Sequence, residues 1–204
     1  MRKFGLKGTF NINSGLFDPN GRWRMSLEES KELYLSNGME VAVHGYKHIH
    51  LTDVNSASAT SEVLKDREEL EKHFGGIIKG MAYAYNDYND NVVQILKDCV
   101  IKYSRTVIST EDFFIPTDFL RMPTTCHHNN PKLFQLVEDF FAKEDVNYYN
   151  STPRLFYLWG IRLNLIETII GTLLKNLLKK LVIVTTFGTQ QTLKFTTTLT
   201  RTIC

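Results

Sequence analysis

Between Lys7 and Trp159, short apolar runs alternate with amphipathic stretches four or five times, and this alternation constrains the fold more than any other feature of the sequence. Strand followed by helix, repeated, builds a mostly parallel sheet with helices outside it, an α/β architecture. Lys7–Ile12, Met39–His44, Ile77–Tyr83, Ile101–Val107 and Arg154–Trp159 are the predicted strands. Ser26 and Glu29 form a capping box that opens a helix through Leu35, stopped near Asn37-Gly38. Further helices are predicted over 56–73, ended by Gly75-Gly76, over 90–98, and from Asn130-Pro131 to Lys143. In such folds the chemistry sits at the carboxyl ends of the strands. That directs attention to Asn11, His44, the 83–90 loop, the 122–130 loop and Trp159-Gly160.

Composition narrows the class. With 204 residues, 43% hydrophobic and 23% charged, the chain can bury a sizeable core in one domain, and disordered, collagenous and coiled-coil classes are excluded. No run approaches 18 apolar residues, so no membrane span is expected. A net charge of +2 argues against a dedicated nucleic-acid binder. Cys99, Cys126 and Cys204 are an odd number without C-x-x-C spacing, which suits a reduced chain lacking a cysteine zinc site. The opening MRKFGLKGTF shows no secretory h-region, so a cytoplasmic setting is the expectation for the chain as written. The sequence leaves the oligomeric state open.

His44 and His48 end the second predicted strand in VAVHGYKHIH. If the chain turns helically there, positions i and i+4 share one face, and two imidazoles can meet on one cation such as zinc. The same spacing also fits two polar residues in a surface loop. His50 falls on another side of the turn. A third ligand is required, typically a carboxylate.

The residues that carry these features also carry a resemblance. NGMEVAVHGYKHIHLTDV resembles the second motif of the polysaccharide deacetylases, the NodB-homology domains of carbohydrate esterase family four. FGLKGTFNINSGLF resembles that family's GxKATFF strand, and GMAYAYNDYND a variant of its third motif, AYPYG. LRMPTTCHHNNPKLF and PRLFYLWG resemble later segments of a bacterial subfamily, in the same order along the chain. The resemblance implies a distorted (β/α) barrel and hydrolytic removal of N-acetyl groups from amino sugars. It implies a divalent metal, zinc or else cobalt, manganese or nickel, with His44 and His48 matching two of its ligands. The metal would polarise the acetamide carbonyl and bind the attacking water, with an aspartate as base and a histidine as acid. The implied partner is an N-acetylated glycan or a related amide.

The chain also departs from the pattern. The first motif, T-F-D-D-G, belongs some way before the ATFF-like strand, and Met1 stands only six residues before Lys7. The first strand and both its aspartates are therefore expected to be missing, leaving an incomplete barrel and a weakly held metal. Ala84 and Asn86 replace the Pro and Gly of AYPYG, and Ala82 stands where the wider family has an arginine. Asn at position 86 costs least if the backbone there is left-handed.

A break in composition follows Gly160. Residues 1–160 hold 18 Lys+Arg and 21 Asp+Glu, whereas 161–204 hold six Lys+Arg, the single acid Glu167 and eleven Thr. The domain reading is a partial polysaccharide deacetylase-like domain over 1–160 and an aberrant Thr/Leu-rich tail over 161–204. A basic membrane-surface or partner-binding tail is one reading of that segment. A frameshift after Gly160 is the preferred one. Codons for GIRLNLIETIIG can be chosen so that the shifted frame reads HSFEFDRDNNWD, close to the subfamily's continuation, and the shift puts Ile161 where the resemblance expects the acid histidine.

Other residues divide between chemistry and packing. At most one of the adjacent His127 and His128 faces a pocket; His128 is the candidate catalytic residue, and the same loop also reads as a helix approach capped by Asn130. Tyr83, Tyr85 and Trp159 are candidate substrate-binding residues that could stack on pyranose faces or pack the rim. Cys126 reads as a packed thiol, and the charged helix 62–73 as a solvated face. The leading function is a metal-dependent deacetylase impaired in this chain. The alternatives are a non-catalytic carbohydrate-binding remnant and a hydrolase of another linear or cyclic amide.

Overall fold

The structure, a computed structural model, describes residues 8–20, 24–142, 154–161 and 197–200. Its first strand, β1 (Gly8–Ile12), pairs in parallel with β2 (Glu40–Val43), which pairs with β3 (Gly80–Ala82), and that with β4 (Tyr103–Ser109). β4 pairs with β5 (Met122–Thr124), and two residues later β6 (Cys126–His127) pairs with β7 (Leu158–Ile161). β8 (Thr197–Thr200) lies between β7 and β1. Thr125 joins the two ends of this order: its N–H donates to Tyr157 O at 2.9 Å, and its carbonyl accepts from Glu111 N at 2.9 Å. Residues 122–127 are thus one rail shared by β4 and β7, and the described strands close into a distorted (β/α) barrel with every pairing parallel. β8, which pairs with β1 and β7, comes from the segment assigned to the tail. Residues 162–196, on which most of the frameshift reading falls, lie outside the described residues.

The helices cover the outer faces. The capping box is present: Ser26 Oγ accepts from Glu29 N, and the Glu29 carboxylate accepts from Ser26 N. It starts α1 (Leu27–Ser30), which runs on as a π-helical turn over Lys31–Leu35. α2 (Ser56–Phe74) is capped by Asn55, and α3 (Asp90–Asp98) by Asn89. Val41 and Val43 of β2 and Met81 of β3 point outward into one core with Val63 and Leu70 of α2 and Val92 and Leu96 of α3. A second core joins Cys126 and Leu158 to Leu133, Val137 and Phe140 of α4 (Leu133–Ala142). Side chains alternate across a strand, so Ala42, His44, Ala82 and Arg105 face the barrel interior, while Asn11, register partner of Ala42, lies on that same face.

Three elements differ from expectation. The 122–130 loop contains strands, α4 begins at Leu133 rather than after Pro131, and the last body strand begins at Leu158 rather than at Arg154. No helix among the described residues is long and apolar enough to cross a membrane.

Candidate functional site

His44 follows directly on β2 and is 2% exposed. Its Nδ1 lies 2.8 Å from the carbonyl of Ala82 on the neighbouring strand. A carbonyl only accepts, so Nδ1 carries the proton and Nε2 keeps its lone pair. Burial, then the neighbouring His48 ring, and more weakly Arg105 push the His44 pKa down to about 3, against the opposing Ala82 hydrogen bond. The ring is therefore neutral at physiological pH, as a metal ligand must be.

His48 Nε2 stands 3.2 Å from His44 Nε2, with the ring planes at 67°. The helical turn expected to bring them together is absent. Instead Gly45 (φ +88°) and His48 (φ +59°) both take left-handed backbone, and the loop doubles back so that the ring tips meet. Burial lowers the His48 pKa as well. Two nitrogens each about 2.0–2.1 Å from one zinc, at a near-tetrahedral angle, sit about 3.2–3.4 Å apart. The dyad fits a divalent cation by separation, tautomer and protonation. Among the described residues no group of three His, Cys, Asp or Glu side chains is placed to hold a metal, so the dyad is two donors without a third there.

The loop 44–48 is held from two sides. Asn13 Nδ2 donates to the carbonyls of His44 (2.9 Å) and Gly45 (2.7 Å), and Gly15 N to that of Tyr46 (3.1 Å). From α2, Asp66 Oδ2 accepts from His44 N at 3.0 Å and Glu62 Oε1 from Lys47 N at 2.5 Å. Burial raises the Asp66 carboxyl to about 7 against the pull of its donors from Ser14 and His44. The expectation that helix 62–73 is a solvated face is corrected: Asp66 is fully buried and Glu62 is 8% exposed.

The wall opposite is aromatic and basic. The Arg105 guanidinium carbon lies 4.5 Å from the Trp159 ring centroid, and burial depresses the Arg105 pKa to about 10. His127, register partner of Trp159, meets that ring edge-on at 4.4 Å. His128 is 4% exposed and its ring crowds Gly160. Of the adjacent histidines, His127 is thus the one whose ring lies against Trp159. Asn11 is 1% exposed, and its amide atoms, like Trp159 Nε1, have no hydrogen-bond partner among the described residues.

Of the three aromatic candidates, Tyr83 is corrected. It is 1% exposed, stacks on Tyr88 and donates its hydroxyl to Leu120 O at 2.7 Å, leaving no face for a sugar. Tyr85 is exposed, set edge-on to His48 at 4.4 Å and stacked on His50 at 4.1 Å. His50 turns away from the dyad toward Asp87, 3.8 Å off. Asn86 takes φ +58°, the left-handed backbone expected for it. Cys126 is fully buried, and its thiol is pushed up to about 12 by burial.

A family model described as polysaccharide deacetylase matches residues 1–104. Among solved structures, the Streptococcus pyogenes deacetylase PplD in complex with acetate shares 25% identity at a TM-score of 0.50, over 53% of this chain and 47% of that one. A polysaccharide deacetylase from Bacillus cereus shares 25% identity at a TM-score of 0.48, over 58% of this chain and 36% of its own. A CE4 family pseudoenzyme from Bacillus anthracis aligns over 98% of this chain and 59% of its own, at 14% identity and a TM-score of 0.56. The chain spans less than half the length of the first two. Comparison with curated protein sequences finds no match.

Proposed function

This chain belongs to the polysaccharide deacetylase family, and from that premise we propose that its barrel mouth is a divalent-cation site for hydrolysing the N-acetyl groups of amino sugars, with turnover impaired. The observation that carries the reading is the 3.2 Å separation of the His44 and His48 Nε2 atoms, with His44 Nδ1 tied to Ala82. His44 and His48 would hold the cation, which when bound supplies Lewis acidity to an acetamide carbonyl and an acidified water. Trp159 and Tyr85 offer the aromatic edges against which a pyranose ring can pack.

Impairment follows from what the described carboxylates near the dyad already do. Both Asp66 oxygens accept hydrogen bonds, one from His44 N and the other from Ser14, and Glu62 Oε1 accepts from Lys47 N. Both side chains are buried and engaged by these donors, which supports reading them as supports of the loop rather than as the base that takes a proton from water. General acid–base catalysis contributes about 10²–10⁴-fold, and its loss lowers turnover by at least that much. The same observation supports a second reading, a cation-binding, non-catalytic glycan-binding protein.

Zn²⁺ or Co²⁺ titration of the whole chain, alongside acetate release from an N-acetylglucosamine oligomer, tests both. Binding that weakens at least about tenfold in His44→Ala and in His48→Ala, with slow acetate release abolished by His44→Ala, supports the hydrolase. Cation and glycan binding without turnover supports the second reading. Wild-type protein that binds neither metal would overturn both.

A further inference from the structure

We infer that Asp66, together with Glu62 one helical turn before it on α2, is a positioning residue that sets the convergence of the two histidine rings. The loop 44–48 has no regular secondary structure, yet its polar backbone is divided between two supports. Its N–H groups at His44, Tyr46 and Lys47 go to α2: to the Asp66 carboxylate, to the Glu62 carbonyl (3.3 Å) and to the Glu62 carboxylate. Its carbonyls at His44, Gly45 and Tyr46 go to Asn13 and Gly15. Asp66 also joins the two supports, because its Oδ1 accepts from Ser14 N at 2.7 Å and Ser14 Oγ at 2.6 Å.

The ties matter because the loop's conformation is costly. A non-glycine residue in left-handed backbone is sterically disfavoured and persists only where its surroundings over-determine it. His48 is such a residue. α2 is anchored in the core through Val63 and Leu70, so carboxylates fixed to it transmit a rigid reference to the loop. Asp66 reaches no solvent, so its oxygens serve the His44 and Ser14 donors.

The inference rests on the metal reading above, and the test separates the two. Zn²⁺ affinity is measured by competition with a chelating dye in wild type, Asp66→Asn and, as a control on the exposed side of α2, Glu68→Gln. An amide at position 66 cannot accept from both Ser14 and His44 without turning an N–H toward a donor. Asp66→Asn is expected to weaken Zn²⁺ binding about 10–100-fold, the range for groups that orient metal ligands, and Glu68→Gln to leave it unchanged. A folded Asp66→Asn protein with wild-type affinity overturns the inference. Should Asp66→Asn not fold, the Glu62 pair decides: Glu62→Gln keeps an oxygen for Lys47 N and retains affinity, whereas Glu62→Ala weakens it about tenfold. Equal affinities in that pair refute the positioning role. If wild type binds no metal, the proposed function falls, and the metal-free protein still reads this claim. The His44 Nδ1 proton, hydrogen-bonded to Ala82 O, gives a persistent NMR resonance in wild type that is broadened in Asp66→Asn; identical resonances overturn the inference.

Discussion

Ala82 and Arg105 are register partners on β3 and β4, so a guanidinium enters the barrel mouth one strand away from the alanine that the family resemblance marks as a missing arginine. Arg105 approaches Trp159, and its charge adds to the burial that lowers the His127 pKa.

Replacing this cation should therefore be felt by His127. In Arg105→Met the imidazolium of His127 no longer meets a neighbouring positive charge, and its NMR titration midpoint rises. Burial, the larger cause, and the opposing Asn129 hydrogen bond remain. A midpoint that stays where it is in wild type would show that the guanidinium does not act on that ring.

The sequence made some of these elements legible and hid others for physical reasons. The Val41–Val43 alternation and the Ser26/Glu29 box are local signals, and both are seen in the structure. The 122–127 rail was not legible, because Pro123 and a Thr-Thr-Cys-His-His run look like loop when the face they line is a polar barrel interior. The histidine spacing pointed to the dyad for an unsuitable reason, since a left-handed His48 does the work assigned to a helical turn. Glu62 and Asp66 escaped notice because most of their partners are backbone N–H groups, which leave no mark on sequence spacing. Arg105 did have a signal: a lone charge inside the strand YSRTVIS.

Asn86 offers a two-variant test of backbone strain. It holds φ +58°, and its Oδ1 accepts from Val107 N at 2.8 Å. Asn86→Ala loses the hydrogen bond and meets the left-handed penalty, together about 2 kcal/mol. Asn86→Gly loses the bond but is at ease in that backbone, so urea unfolding should place it within about 1 kcal/mol of wild type. Alanine and glycine variants of equal stability would contradict the assignment.

Gly160 is fixed by contact rather than by its dihedral. A Cβ there would fall inside the His128 ring, and that ring cannot withdraw easily because His128 N donates to Trp159 O at 2.8 Å. Gly160→Ala should cost about 3 kcal/mol, the upper end for an overpacked site. A Gly160→Ala protein with the wild-type denaturation midpoint would argue against the packing at β6 and β7.

His128 links this packing to acid. Burial, then the adjacent His127, lower its pKa from 6.5 to about 4, while the nearby Trp159 backbone opposes them. Between those values the unfolded chain takes up a proton that the folded chain excludes. Stability is thus fully present above pH 6.5 and is lost as pH falls toward 4, by at most about 1.4 kcal/mol per pH unit for one group. His44, with its pKa near 3, acts in the same direction. Asp66, raised from 3.8 to about 7, acts in the opposite one, since there the folded chain holds the extra proton. Comparing wild type with His128→Gln cancels those shared contributions. On acidification from pH 7 to 4.5 the wild type should lose more stability than the variant in parallel urea titrations, and equal losses would mean that the ring is protonated as readily in the fold as in the unfolded chain.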